Sequence, residues 1–225
     1  MSKFYIVATP IGNMGDITIR AIETLKSVDL ILCEDTRETK KILDKYNINK
    51  PTTSYHAQSK LSKVDKIFEL LGEGKNLALV SDAGTPGISD PGALLVSKIK
   101  EKFDEKDVQV IPIPGATALI TALSGSGLPT HEFIFLGFLP HKKGRETIFK
   151  EIRDAKRTIV FYESPHRILK TLESLVKFCP DKKVCIAREL TKIYEEFKTG
   201  TPKEVLEYLT RNKEKQRGEF TVVIS

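Results

Sequence analysis

Three segments of this 225-residue chain concentrate Gly, Pro, Asp and Thr directly after short apolar runs, where open α/β sheets hold ligands. The first, Ala8-Thr9-Pro10-Ile11-Gly12-Asn13-Met14-Gly15-Asp16, has glycines that let backbone amides approach a ligand, with Asp16 expected to cap the next helix. The second, Ser81 to Gly92, holds three Gly and two Pro, more punctuation than a turn requires. In it, Asp90-Pro91 fits the start of a helix, while Asp82 at the strand end can accept a hydrogen bond from a ribose hydroxyl or an ammonium group. The third, Pro112 to Ala118, runs from strand through Gly115 into small residues that leave main-chain donors and acceptors exposed, as an adenine or an amino-acid carboxylate needs. A plain turn explains the first loop almost as well, and tight helix–sheet packing competes for the third.

Polar clusters are fewer. Glu34-Asp35-Thr36-Arg37 ends one apolar run and opens a helix; Asp35 or Thr36 can cap it and Arg37 can pair with an acid. In Phe161-Tyr162-Glu163-Ser164-Pro165-His166-Arg167, Ser164-Pro165 reads as a helix cap with Pro in the first turn. Glu163, His166 and Arg167 are unexplained by capping, and aromatics beside an Arg suit base stacking and phosphate contact. Ala187-Arg188-Glu189-Leu190-Thr191-Lys192 is a third such strand end. The four histidines, 56, 131, 141 and 166, lack metal-ligand spacing, so no metal is expected. A P-loop, a Gly-x-Ser-x-Gly elbow and a Gly-x-Gly-x-x-Gly after the first strand are all missing, which disfavours P-loop kinases, serine hydrolases and ordinary dinucleotide enzymes.

The elements that must position these residues alternate. Strands are expected at Phe4–Ala8, Leu30–Cys33, Leu77–Val80, Val108–Ile113, Phe133–Phe138, Thr158–Tyr162, Val184–Ala187 and Phe220–Ile224. Amphipathic helices between them include Ile17–Val28, with Ile19, Ile22, Leu25 and Val28 as its apolar stripe, Val64–Leu71 and Ile168–Val176. The strands lack strict alternation, so both faces of each sheet should be covered. Two domains are expected, 1–114 and 115–225. Residues 140–217 carry a net +8 against −2 for the remainder, a balance that suits a polyanion or, equally, a solvated lysine-rich face. Cys33, Cys179 and Cys185 form no Cys-x-x-Cys pair and are expected to be inert thiols of a reducing compartment. No window approaches the ~18 apolar residues of a membrane span, so a cytoplasmic protein is expected.

Taken together, Thr9–Asn13, Glu34–Arg37, Ser81–Pro86, Pro114-Gly115, Phe161–Arg167, Ala187–Lys192 and Gly218-Glu219 resemble, in order and over almost the whole chain, the ribosomal RNA small subunit methyltransferase I family. That family is a branch of the tetrapyrrole methylase fold. The resemblance implies an α/β chain of two domains, each a mostly parallel or mixed sheet flanked by helices, with S-adenosylmethionine held between them. It also implies methyl transfer to the ribose 2′-oxygen of a cytidine in the decoding region of 16S rRNA, the small ribosomal subunit as partner, and a homodimer. The stretch Ser54–Ser59 matches the family's serine-x-His region only in part, lacking its second His and its Asn.

On this resemblance the cofactor contacts are expected at Pro10, Asp82, Gly84, Thr85, Ile88, Thr117, Ala118 and Tyr162, with Gly218 and Glu219 as further candidates. Methyl transfer from a sulfonium is an in-line displacement, so holding the ribose oxygen ~3–3.5 Å behind the methyl carbon is the main task. A base or polarising cation near that oxygen is expected from Glu163, His166, Arg188 or Glu189, or alternatively from Glu34, Asp35 and Arg37. RNA contacts are expected at Arg37, Arg145, Arg153, Arg157 and Arg167. The alternatives are a methylase of the same fold acting on a tetrapyrrole or other small acceptor, and a non-catalytic RNA-binding module.

Overall fold

The computed structural model describes residues 1–56 and 61–225; Ala57, Gln58 and Ser59 of the partly matching stretch lie outside the described residues. The chain divides into two units, Met1–Thr117 and Ala118–Ser225. Gly115–Thr117 thus stay with the first unit, three residues beyond the expected boundary, because local contacts hold them there. A Cβ on Gly115 would stand 2.8 Å from Ala8 Cβ, and Thr85 Oγ1 donates to Ala116 O at 3.2 Å.

In the first unit, β1 (Ser2–Val7), β2 (Leu30–Cys33), β3 (Thr52–Ser54), β4 (Leu77–Leu79) and β5 (Val108–Ile113) form a sheet of order β3-β2-β4-β1-β5. Every pairing in it is parallel. The period-2 geometry of a strand splits its residues between two cores. Phe4, Ile6, Leu32, Leu77 and Leu79 pack with Val64, Ile67 and Leu71 of α3 (Leu61–Gly72) and Leu95 and Ile99 of α4 (Gly92–Lys102). Val7, Ile31, Cys33, Ala78 and Val80 pack with Ala21 and Leu25 of α1 (Ile19–Ser27) and Leu43 of α2 (Thr36–Lys45). Burial on both faces is why the strands read as unbroken apolar runs.

The second unit pairs β6 (Phe133–Phe138), β7 (Thr158–Glu163), β8 (Val184–Arg188), β9 (Glu196–Gly200) and β10 (Phe220–Ile224) in the order β6-β7-β10-β8-β9. It is mixed: β6 and β7 are parallel, while β10 runs antiparallel to both β7 and β8. One face carries α6 (Arg145–Asp154), α7 (Ile168–Phe178) and α8 (Pro202–Arg211), whose Phe149, Ile152, Leu172, Leu175, Val205 and Leu209 close on Phe161, Ile186, Val222 and Ile224. The other face takes α5 (Ala118–Ser126), a helix of mostly small residues. Burial pushes the thiols of Cys33, Cys179 and Cys185 up from their ordinary pKa, which keeps them protonated and unreactive.

Several local expectations shift. Thr18, not Asp16, caps α1, its Oγ1 accepting from Ala21 N at 3.1 Å; Asn13 to Asp16 form a separate single turn first. Ile19, the first residue of α1, is exposed, and the buried stripe is Ala21, Thr24, Leu25 and Val28 instead. Likewise α7 begins at Ile168 rather than after Ser164, because Ser164 O accepts from both Arg167 N and Ile168 N in a preceding turn. The start of α4 shifts by one residue as well: its N-cap is Pro91 rather than Asp90 and no side chain caps it, while Asp90 accepts from Gly92 N at 2.6 Å and from Gly87 N at 2.7 Å and so ties the preceding loop to the helix start.

Candidate functional site

Parallel strands deliver their C-terminal ends to one edge of a sheet, so the loops after β1, β2, β4 and β5 are neighbours by construction. The structure also ties them to one another. Thr9 and Gly84 form an isolated antiparallel bridge, with N···O distances of 2.9 and 3.1 Å. Thr9 Oγ1 donates to Ser81 O at 3.0 Å, and Ser81 Oγ donates to Gly84 O at 3.1 Å. Gly84 sits at φ +85°, a left-handed conformation that turns the chain back beneath the first loop and favours glycine. Thr85 then reaches the third loop through Ala116 O, and Gly115 lies against Ala8. Pro10 and Gly84 are buried at this edge, Thr85 and Thr117 half-buried, and Asp82 and Ile88 exposed. The three glycine-bearing segments therefore converge.

The loop after β2 joins them through Asp35 N, which donates to Asp82 Oδ1 at 3.0 Å. Asp35 caps α2, accepting from Arg37 N at 2.8 Å, and its carboxylate is gripped by the Arg37 guanidinium at 2.6 Å, which lowers its pKa to about 2. Arg37 is itself largely exposed. Glu34 differs: partial burial, then the charges of Asp82 and Asp90, raise its carboxyl above the usual range. This edge offers main-chain groups, a half-buried acid and an exposed carboxylate, a fitting cradle for a cationic ligand with a sugar. Among the described residues no three His, Cys, Asp or Glu side chains are arranged to hold a metal ion.

In the second unit, β7 and β8 flank β10, and Phe220 is the register partner of both Glu163 and Arg188. The two strand-end motifs are thus one strand apart on the same row. Glu163 is 2% exposed and fully committed. It accepts from Ser164 N at 2.8 Å and from Thr171 Oγ1 at 2.6 Å, pairs with Arg167 at 2.7 Å, and has Arg145 at 3.8 Å. Arg145 and Arg167, expected at an RNA surface, are held in this cluster with most of their side chains covered. Thr171, which sequence reasoning missed, lies eight residues on and is buried by α7; nothing in the local spacing marks it. Tyr162 packs edge-on against Phe135, with ring centroids 4.9 Å apart, and beside Phe138. His166 is exposed.

Arg188 is 8% exposed, its Nη1 donating to Arg217 O at 3.3 Å and its Nη2 lying 3.4 Å from Glu196. Glu189 follows at φ +50° and Thr191 at φ +64°, a strained turn of the kind found at functional sites. The Glu189 carboxylate accepts from Lys192 Nζ at 2.9 Å and from Glu219 N at 3.0 Å. Burial alone would raise its pKa, but these two donors outweigh it and the net shift is downward. Gly218 lets this happen: a Cβ there would stand 2.5 Å from Glu189 Cγ. Arg153 and Arg157 are half exposed and paired with Asp154 and Glu132 at 2.8 Å.

Comparison with known proteins agrees with this architecture. The family model of Tetrapyrrole (Corrin/Porphyrin) Methylases matches residues 3–206. The chain is 47% identical to the "Ribosomal RNA small subunit methyltransferase I" of Thermotoga maritima over 100% of this chain and 99% of that one. It is 48% identical to the protein of the same name from Synechocystis sp., over 100% of this chain and 79% of that one. Among solved structures, uroporphyrin-III C-methyl transferase from Thermus thermophilus complexed with S-adenyl homocysteine superposes with a TM-score of 0.62 at 15% identity, covering 98% of this chain and 96% of that one. The chain belongs to the tetrapyrrole methylase family and, within it, to the ribosomal RNA small subunit methyltransferase I proteins.

Proposed function

We propose that this chain transfers a methyl group from S-adenosylmethionine to the ribose 2′-oxygen of a cytidine in the decoding region of 16S rRNA. The observation that carries this reading is the 47% identity extending over the whole of both chains with a relative named for small-subunit rRNA methylation. The geometry agrees with it. When bound, the cofactor supplies an electrophilic methyl on a sulfonium. The residues of the first unit's sheet edge fit it: Gly84 and Gly115 let the three loops lie close to one another, Pro10 is a buried member of that edge, Ile88 supplies exposed apolar surface, and Asp82 and Thr85 supply acceptors. Thr117 is a further proposed contact of this edge, and Ala118 and Tyr162 are the cofactor contacts proposed on the second unit.

Sulfonium charge disappears during the reaction, so neutral carbonyl dipoles beside it hold back the ground state less than a carboxylate would. For the acceptor oxygen, His166 and Glu189 are the proposed proton-handling groups of the second unit, with Arg188 as a fixed positive charge. Glu34 is the first unit's candidate, a half-buried carboxyl whose pKa is raised by burial and by the neighbouring Asp82 and Asp90. Arg37, Arg153 and Arg157 are the proposed phosphate contacts. The active form is proposed to be a cytoplasmic homodimer; among the described residues no helix is long and apolar enough to cross a membrane.

The test is incubation with labelled S-adenosylmethionine and either assembled small subunits or naked 16S rRNA, followed by mapping of ribose methylation. A 2′-O-methylcytidine in the decoding region is expected. Its absence under saturating conditions, from protein that binds the cofactor by calorimetry, overturns the assignment.

A further inference from the structure

The Glu163 cluster has a consequence for the turn beside it. Both guanidiniums that meet Glu163 also grip the main chain where β6 ends: Arg167 Nη1 donates to Leu139 O at 2.8 Å, and Arg145 Nη1 donates to Pro140 O at 3.1 Å. Arg145 Nη2 donates to Thr171 Oγ1 at 2.6 Å, and Thr171 Oγ1 donates onward to Glu163 Oε2 at 2.6 Å. One buried carboxylate thereby orients two arginines, and the arginines pin two successive carbonyls. The pinned carbonyls lead directly into His141-Lys142-Lys143-Gly144, an exposed basic turn. That turn closes on itself through Arg145 N to Lys142 O at 3.3 Å, with Gly144 at φ +81°.

We propose that Glu163 is a positioning residue that holds the His141–Gly144 turn in the conformation that engages rRNA phosphates, and takes no proton from the substrate. This rests on the rRNA methyltransferase reading. The physical argument is one of pre-organisation. The Glu163 side chain has no exposed surface and both oxygens are occupied by donors, so it cannot reach a substrate hydroxyl. Removing its charge leaves two guanidiniums facing each other in a half-buried space with no counter-ion. They would separate, releasing Leu139 O and Pro140 O, and the basic turn would become an ensemble that must be ordered again on binding. Loss of a pre-formed contact surface appears in KM, whereas loss of a proton acceptor appears in kcat.

The test compares Glu163→Gln with the parent protein in three readings: kcat and KM for rRNA, cofactor affinity by calorimetry, and amide hydrogen exchange across residues 139–145. The expected result is a KM for rRNA raised ~10-fold with kcat at saturating rRNA within about twofold of the parent. Exchange in the turn should speed up ~10-fold or more, and cofactor affinity should be unchanged. Arg167→Lys, which keeps a positive charge but cannot bond Glu163 and Leu139 O together as a fork, should give the same split more weakly. It is the variant to use should Glu163→Gln not fold. A fall in kcat with KM and exchange unchanged overturns the proposal, as does parental behaviour in the variant that folds. Exchange is read without any substrate. A loosened turn in an enzyme whose parent does not methylate rRNA therefore sinks the functional reading and leaves the latch itself standing.

Discussion

Glu34 and Glu189 each follow the last residue of a strand, yet their surroundings move them in opposite directions. Glu34 is partly buried and faces Asp82 and Asp90, so its pKa in the fold lies above the ordinary 4.5; Glu189, despite its burial, is pulled below 4.5 by Lys192 and the Glu219 amide. A carboxyl raised by folding contributes stability below its unfolded pKa and loses it as pH rises through the folded value. A carboxyl lowered by folding contributes stability above its unfolded pKa and loses it as pH falls through the folded value. Glu34→Gln should therefore melt higher than the parent at neutral pH, the gap closing in acid. Glu189→Gln should melt lower at neutral pH, its gap also closing in acid. Tm measured from pH 7 down to about 3 checks both signs; gaps of the same sign would contradict the assigned environments. The sequence marked both residues as candidates because each ends an apolar run. Lys192 stands three residues from Glu189 in the same strand-end segment, but their pairing comes from the structure. Asp82, Asp90 and Glu219 reach their targets through strand pairing, which local spacing does not encode.

Elements in the sequence were legible where burial imposes a period. Leu30–Cys33, Val108–Ile113, Phe133–Phe138 and Phe220–Ile224 fall at the expected bounds because each begins and ends on an apolar residue, apart from the terminal Cys33, and is mostly apolar between, with Gln109 and Thr221 as the polar interruptions. β3 and β9, each at one edge of its sheet, were missed because they lack an apolar run: Thr52–Ser54 is short and polar, and Glu196–Gly200 alternates charged residues with Phe197 and Thr199. Helix starts slipped at Asp16 and Ser164 since a preceding turn consumed the residue that resembled a cap. The strand-end loops were recognisable from glycine and proline alone, but their mutual bonding was not. It gives a prediction at this scale. Gly115→Ala places a methyl 2.8 Å from Ala8 Cβ, so the loop after β5 must move off the loop after β1. Overpacking of this kind costs about 1–3 kcal/mol of stability, read by urea unfolding. If the same loops form the cofactor cradle, calorimetry should show S-adenosylmethionine binding weakened ~10-fold or more while the protein stays folded. Unchanged affinity in a folded variant would remove Gly115 from the cradle.

At the scale of the molecule, the +8 surplus of residues 140–217 falls wholly within the second unit, and the arginines in it are of two physical kinds. Arg145 and Arg167 are locked to Glu163 and to main-chain carbonyls, so exchanging those partners for phosphate means dismantling a buried cluster. Arg153 and Arg157 hold Asp154 and Glu132 in exposed pairs, which contribute little and are easily exchanged for a phosphate. Charge pattern along the sequence could not separate the two kinds; burial does. Binding of rRNA should therefore weaken steeply with salt: engagement of about four phosphates implies a loss of ~30-fold or more between about 50 and 200 mM, whereas S-adenosylmethionine, a small ligand with a net charge of only about +1, should be far less sensitive. Arg157→Ala should reduce the slope of log K against log salt by about 0.7–1, the share of one phosphate contact. Its Tm should stay close to the parent's, because only an exposed pair is lost. Filter binding of 16S rRNA fragments across that salt range supplies the slope. A slope unaltered by Arg157→Ala would mean that this residue faces solvent in the complex and that the phosphates run over another part of the basic unit.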